Sequence, residues 1–168
     1  MQLTSRFVLL LAAVVLVGCA DKTSDVSDRS DKSDDLYFVG TYDPNVDPAD
    51  DVQRAVDLAT QQNKRILLQV GGDWCGWCHK MSDFFHENGQ VVTALRDGFV
   101  LVKINKSDEN SNEEFLKQYP EIEGYPHLFV LEHDGTLLHS QDTVELEEGD
   151  SYSLDAVVGF LAEWAVPG

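Results

Sequence analysis

Two cysteines separated by two residues stand in the run Trp74-Cys75-Gly76-Trp77-Cys78-His79-Lys80. At this spacing two sulfurs meet across the first turn of a helix, so a disulfide can open and close with little backbone movement. The run follows an apolar stretch, Arg65-Ile66-Leu67-Leu68-Gln69-Val70, which predicts a strand handing over to a helix. Cys75 then falls at a helix N-terminus, where partial positive charge favours the thiolate, the form that attacks disulfides. His79 and Lys80 add positive charge or hydrogen-bond donors nearby. The chemistry these residues could perform is thiol–disulfide exchange.

The elements that must hold this pair follow from periodicity and punctuation. Asp47-Pro48-Ala49-Asp50 predicts a helix start, with Val52, Ala55, Val56 and Ala59 at helical spacing and Asn63-Lys64 as the stop. Residues 65–70 read as a buried strand, and Gly71-Gly72 as a turn. The cysteine helix is expected from about Trp74 to Glu87, with Met81, Phe84 and Phe85 on its apolar face. Asn88-Gly89 marks a stop or kink, and Val91, Val92 and Leu95 continue helically. Phe99 to Ile104 is the next strand, which makes a crossover and a parallel pair. Ser111-Asn112-Glu113-Glu114 reads as a capping box for a short helix closed by Pro120. His127 to His133 and Thr136 to Ser140 form a hairpin around Asp134-Gly135. Ser153 is the expected cap of a last helix with Leu154, Val157, Val158, Leu161 and Trp164 on one face, Trp164 in the core. Leu36 to Val39 reads as a short edge strand.

This order, helix, strand, helix, strand, helix, hairpin, helix, resembles the thioredoxin-like family. The resemblance covers roughly residues 45–168 and rests on Trp74-Cys75-Gly76-Trp77-Cys78 and on Gly124-Tyr125-Pro126 just before the hairpin. It implies an α/β thioredoxin-like fold, a central mixed β-sheet flanked by helices on both faces. It implies that Cys75 is the nucleophile and that Cys78 resolves the mixed disulfide. It also implies that Pro126 is cis and faces the cysteines, and that the backbone of Tyr125 pairs with a substrate strand. Trp74, Gly76 and Trp77 would line the binding surface, Trp77 as a stacking platform or as a cover over the sulfurs. Many thioredoxins carry a buried Asp six residues before the first cysteine; here that position is Gln69. The Gly76-Trp77 dipeptide replaces the Gly-Pro of general thioredoxins. His127, directly after Pro126, could lie near the site, whereas His86, His133 and His139 read as surface residues.

Other readings of the same residues stand beside this one. A structural disulfide is a weak one, because a bridge closing so short a loop adds little stability. Cys75-Gly76-Trp77-Cys78-His79 also fits Cys-x-x-Cys-His, the attachment motif of c-type haem, with His79 as axial ligand. Met81, however, is too close to His79 to ligate the opposite face, and Gly124-Tyr125-Pro126 would then have no role. Zinc on two thiols and His79 lacks a second ligand pair, so no metal is expected. The redox reading needs no cofactor beyond the Cys75–Cys78 pair. A thioredoxin-like client-binding module with little turnover is the second function class.

The chain's 168 residues carry 30 acidic and 12 basic side chains, for a net charge of −18, which argues against nucleic acid as a partner. Phe7 to Val17 is an apolar run too short to span a bilayer as a mature helix, and it marks residues 1–18 as a signal peptide. Leu16-Val17-Gly18-Cys19 resembles the lipobox of bacterial lipoprotein precursors, which implies lipid on Cys19 and a membrane anchor. Ala20 after that cysteine resembles an outer-membrane address more than an inner-membrane one. Residues 19–36 then read as the lipidated cysteine and a solvated Ser/Asp tether, spanning about 20–25 Å. Residues 37–168 are left as one domain. The expected setting is periplasm-facing. The expected partners are protein thiols and disulfides, with an electron donor or acceptor at the membrane. With Cys19 lipidated, Cys75 and Cys78 remain as the one pair. Glu145, Glu147, Glu148 and Asp150 read as a solvated acidic loop.

Overall fold

A computed structural model describes residues 36–167. The expected signal peptide, Cys19 and most of the tether lie outside the described residues.

The first helix, α1 (Pro48–Gln62), begins as its sequence requires. The Asp47 side chain accepts a hydrogen bond from the Ala49 amide at 2.9 Å, and Pro48 occupies the first turn, where its missing N–H costs nothing. Asn63 ends the helix in the left-handed region, with φ of 53°. Strand β1 (Arg65–Gly71) follows, then α2 (Gly76–Glu87), α3 (Gly89–Gly98) and strand β2 (Phe99–Asn105). Asn88 is extended and breaks the cysteine helix from α3. The short helix α4 (Glu113–Leu116) precedes the hairpin of β3 (His127–Leu131) and β4 (Leu137–Asp142). A 3₁₀ turn at Thr143–Leu146, a small hairpin of β5 (Glu147–Glu148) and β6 (Ser151–Tyr152), and α5 (Leu154–Trp164) complete the chain.

The sheet order is β2-β1-β3-β4. Strand β1 pairs parallel with β2 and antiparallel with β3, so the sheet is mixed. Both faces are covered, which is why β1, β2 and β3 are apolar almost throughout. Alternation divides them cleanly. Ile66, Leu68, Val70, Val102, Ile104 and Phe129 pack with Ala55 and Ala59 of α1. Leu67, Leu101, Leu128 and Val130 pack with Met81 and Phe85 of α2, Val91 and Leu95 of α3, and Val157 and Leu161 of α5. The cysteine helix therefore lies on the face that Leu67 and Gln69 share.

Several expectations need correction. Leu36 to Val39 is not a strand: Val39 makes a single parallel bridge to Val102, while Leu36 and Tyr37 are buried against the core. The capping box does not form, because Asn112, in the left-handed region, caps α4 without a side-chain bond. Ser153 precedes α5 but likewise makes no capping bond. The acidic stretch is not a loop; the 3₁₀ turn and the β5–β6 hairpin order it. Trp164 is half-buried at the rim, stacked on His139 at 4.4 Å, so His139 is not a free surface residue.

Candidate active site

Cys75 and Cys78 are joined by a disulfide, with Cα atoms 5.2 Å apart. Cys75 is the N-cap of α2, and its sulfur accepts from the Cys78 amide at 3.1 Å. That amide, which also reaches the Cys75 carbonyl at 3.1 Å, lies in the first turn of the helix, so the bond to sulfur and the helix dipole both favour negative charge on Cys75. Both cysteines are buried, Cys75 at 4% exposure and Cys78 at 0%, so Cys75 is the less enclosed of the two.

Close approach, not a turn, explains the two glycines before the motif; neither is among the positive-φ glycines. A Cβ on Gly71 would collide with Cys78 Sγ, and one on Gly72 with the Trp74 ring. Trp74 is 60% exposed, donates Nε1–H to the Lys106 carbonyl at 2.7 Å, and meets the Tyr125 ring edge-on at 5.6 Å. Trp77 is half-buried against Tyr152, whose hydroxyl donates to the Trp77 carbonyl. Trp74 is thus the exposed aromatic beside the disulfide, and Trp77 is packing that reaches both the core and the sulfurs. Gly76 is exposed in open space.

The Tyr125–Pro126 peptide is cis, and Tyr125 packs against the cysteine cluster. Thr143 Oγ1 donates to the Pro126 carbonyl at 2.6 Å and ties this loop to the 3₁₀ turn. The backbone N–H and C=O of Tyr125 have no partner among the described residues. Tyr42, Asp73, Trp74, Tyr125 and residues 105–111 border an open groove of about 1110 Å³ beside the disulfide.

Of the expected modulators, two near the cysteines are tied to backbone oxygens and one lies across the sheet. His79 Nε2 pairs with the Asp73 carbonyl at 2.8 Å, and Lys80 donates to the Asp150 carbonyl while its ammonium sits 4.4 Å over the Trp77 ring. Both side chains are held by backbone oxygens instead of by a sulfur. His127 is on the opposite face of the sheet from α2, packed on Phe129 and bonded to Ser140, because strand alternation sends it away from Leu128. Burial holds the His127 pKa below its ordinary value. Gln69, by contrast, is central: fully buried, it accepts from the Tyr37 hydroxyl and donates to the Tyr42 hydroxyl. Tyr42 and Thr143 carried no sequence signal, since each acts through contacts with residues distant in the chain.

The sequence model of a family described as thioredoxin-like matches residues 47–132, about half of the chain. The chain belongs to the thioredoxin-like family. Its fold matches a disulphide isomerase from Xylella fastidiosa Temecula1 with a TM-score of 0.63 and 25% identity, covering 73% of this chain and 94% of that one. It is 38% identical over 56 residues to spermatogenesis-associated protein 20 of Homo sapiens, which covers 33% of this chain and 7% of that protein. It is 26% identical over 103 residues to protein disulfide-isomerase of Hordeum vulgare, covering 61% of this chain and 20% of that protein. The chain thus corresponds to a small part of these curated relatives. A thioredoxin-like fold with a Cys-x-x-Cys disulfide at the N-terminus of α2 is the equipment of a thiol–disulfide oxidoreductase. This accounts for the Cys-x-x-Cys-His run as a redox pair.

Proposed function

We propose that this thioredoxin-like protein reduces disulfides of exported proteins from a lipid anchor at the periplasmic side of a membrane, more readily placed at the outer membrane than at the inner. The observation that carries the redox reading is the Cys75–Cys78 disulfide, with the Cys75 sulfur capping α2 and Cys78 fully buried. In the reduced state the Cys75 thiolate attacks a substrate disulfide and displaces one substrate thiolate. Cys78 then attacks Cys75, releases the second thiolate, and restores the disulfide; the substrate gains the two electrons that the pair loses. The substrate strand would pair with the Tyr125 backbone, whose N–H and C=O have no partner among the described residues, and would be covered by exposed Trp74. The anchor rests on the sequence around Cys19. The reducing direction rests on the likeness of Trp-Cys-Gly-x-Cys to the reducing branch of the family, and it requires an electron donor at the membrane.

Two measurements test this. Cys78→Ser should trap substrates as mixed disulfides on Cys75, and Cys75→Ser should trap none; trapping by neither variant sinks the enzyme reading in favour of non-covalent client binding. The reduction potential of the pair, followed by tryptophan fluorescence, should fall near about −270 mV. A value of about −120 to −180 mV would reverse the direction to oxidation or isomerisation.

A further inference from the structure

Cys78 is fully buried, and a buried thiolate is costly unless a donor meets it. The amide of Gln69, beneath it, neither gives nor takes a proton at working pH. Its orientation, though, is fixed. Nε2 lies 3.4 Å from the Cys78 carbonyl, a group that only accepts, so the nitrogen end of the amide faces Cys78. Nε2 therefore donates to Tyr42 Oη at 2.9 Å, while Oε1 accepts from Tyr37 at 2.8 Å. Tyr42 is an acceptor toward Gln69 and keeps its own proton, which no acceptor takes among the described residues. The Tyr42 side chain, 4% exposed, packs in one cluster with Cys75 and Cys78. A Cβ on Gly71 would run into Cys78 Sγ and would stand 3.3 Å from Tyr42 Oη, so sulfur and hydroxyl converge on one point over Gly71. Burial raises the Tyr42 phenol well above its ordinary pKa, which keeps it a donor across the working range.

We infer that Tyr42 is a catalytic residue whose hydroxyl donates a hydrogen bond to the Cys78 sulfur when the Cys75–Cys78 bond is open. The inference rests on the thiol–disulfide reading and supplies the group that makes the buried sulfur reactive. In the mixed disulfide, the Cys78 thiol loses its proton to the substrate thiolate already displaced. The Tyr42 O–H stabilises the resulting Cys78 thiolate without transferring its own proton. That thiolate forms the bond to Cys75 Sγ, the Cys75–substrate bond breaks, and the second substrate thiolate leaves with the electron pair. Gln69 acts as a positioning residue, because it occupies the Tyr42 lone pair and turns the proton toward sulfur.

The test uses the full chain with Cys19→Ser, reduced and then mixed with an aromatic disulfide reagent whose released thiolate is coloured. The first release reports attack by Cys75 and the second reports resolution by Cys78. Tyr42→Phe should lower the ratio of the second rate to the first by about 10- to 100-fold, the range expected for a hydrogen bond to a charged group. It should also move the pH midpoint of the second phase upward. A purely structural role would slow both phases and leave the ratio unchanged. An unchanged ratio and midpoint overturn the inference while leaving the redox reading intact; a parent chain with no second phase overturns both. The unsubstituted protein asks the same question by tyrosine-labelled nuclear magnetic resonance. The Tyr42 Cζ resonance should move as Cys78 ionises in the reduced state, and a resonance that stays still refutes the bond.

Discussion

Cys78 Sγ fills the space in which a side chain on Gly71 would begin. The last residue of β1 and the inner cysteine of α2 are thereby matched: one must be glycine for the other to be buried. Gly71→Ala should destabilise the oxidised protein by about 1–3 kcal/mol, the usual cost of overpacking a closed site. Urea unfolding of the oxidised form checks this, and an unchanged midpoint would contradict the match.

Gly76 is the opposite case. It occupies the first position of α2, a Cβ there meets nothing, and Cys75 before it is extended at φ −91°, ψ 104°. Proline suits a first helical position and requires an extended residue before it. Gly76→Pro should therefore leave the unfolding free energy within about 0.5 kcal/mol of the parent. A loss of several times that in a denaturant melt would show that the site needs glycine.

Thr143 holds the Pro126 carbonyl at 2.6 Å, and both residues are buried. Thr143→Val keeps the shape and removes the donor, leaving the carbonyl unsatisfied at a cost of about 1–3 kcal/mol. Thr143→Ser should restore most of it. Because this bond ties down the loop carrying Tyr125, the proposed substrate-holding residue, the valine variant should also lose substrate affinity, read as a higher KM in a disulfide-reduction assay.

His127 provides the pH dependence. Burial lowers its pKa in the folded chain, with Asp142 opposing and His139 adding to the shift. Below the ordinary histidine pKa the unfolded chain binds a proton that the folded chain refuses, so stability falls as pH falls from about 6.5 until the folded group titrates too. This one group contributes at most about 1.4 kcal/mol per pH unit. His127→Gln should flatten that part of the stability profile, measured by urea melts between pH 7.5 and pH 5; an equal slope in both proteins would refute it.

The fold was legible because its signals are local. The Asp47-Pro48 start of α1, the apolar runs of β1 and β2, and Asp134-Gly135, where Gly135 takes φ of 88°, each state their conformation within a few residues. The cysteine pair was legible for the same reason. What escaped depends on which distant residues meet. Ser111 to Glu114 has the composition of a capping box, yet Asn105, Asn110 and Asn112 bind one another's backbone and hold the loop otherwise. His127 is next to Pro126 in sequence but across the sheet from α2, since one step along a strand reverses the face. In sequence Gln69 stands where an acid is expected; its contacts depend on Tyr37 and Tyr42, about 30 residues earlier, which lie on either side of it.

Strand β2 is at one edge of the sheet, and the segment before α1 lies along it. The Phe38 amide donates to the Leu101 carbonyl and the Lys103 amide to the Val39 carbonyl, both at 2.9 Å. Arg54 lies 5.2 Å over the Phe38 ring and helps hold the segment down. An open edge of seven mostly apolar residues would be a template for pairing between molecules. These few residues occupy part of that edge in place of a neighbouring molecule. Cutting the chain before Leu36 keeps them in place, and cutting after Gly40 removes them and leaves β2 free to recruit a strand from a neighbour.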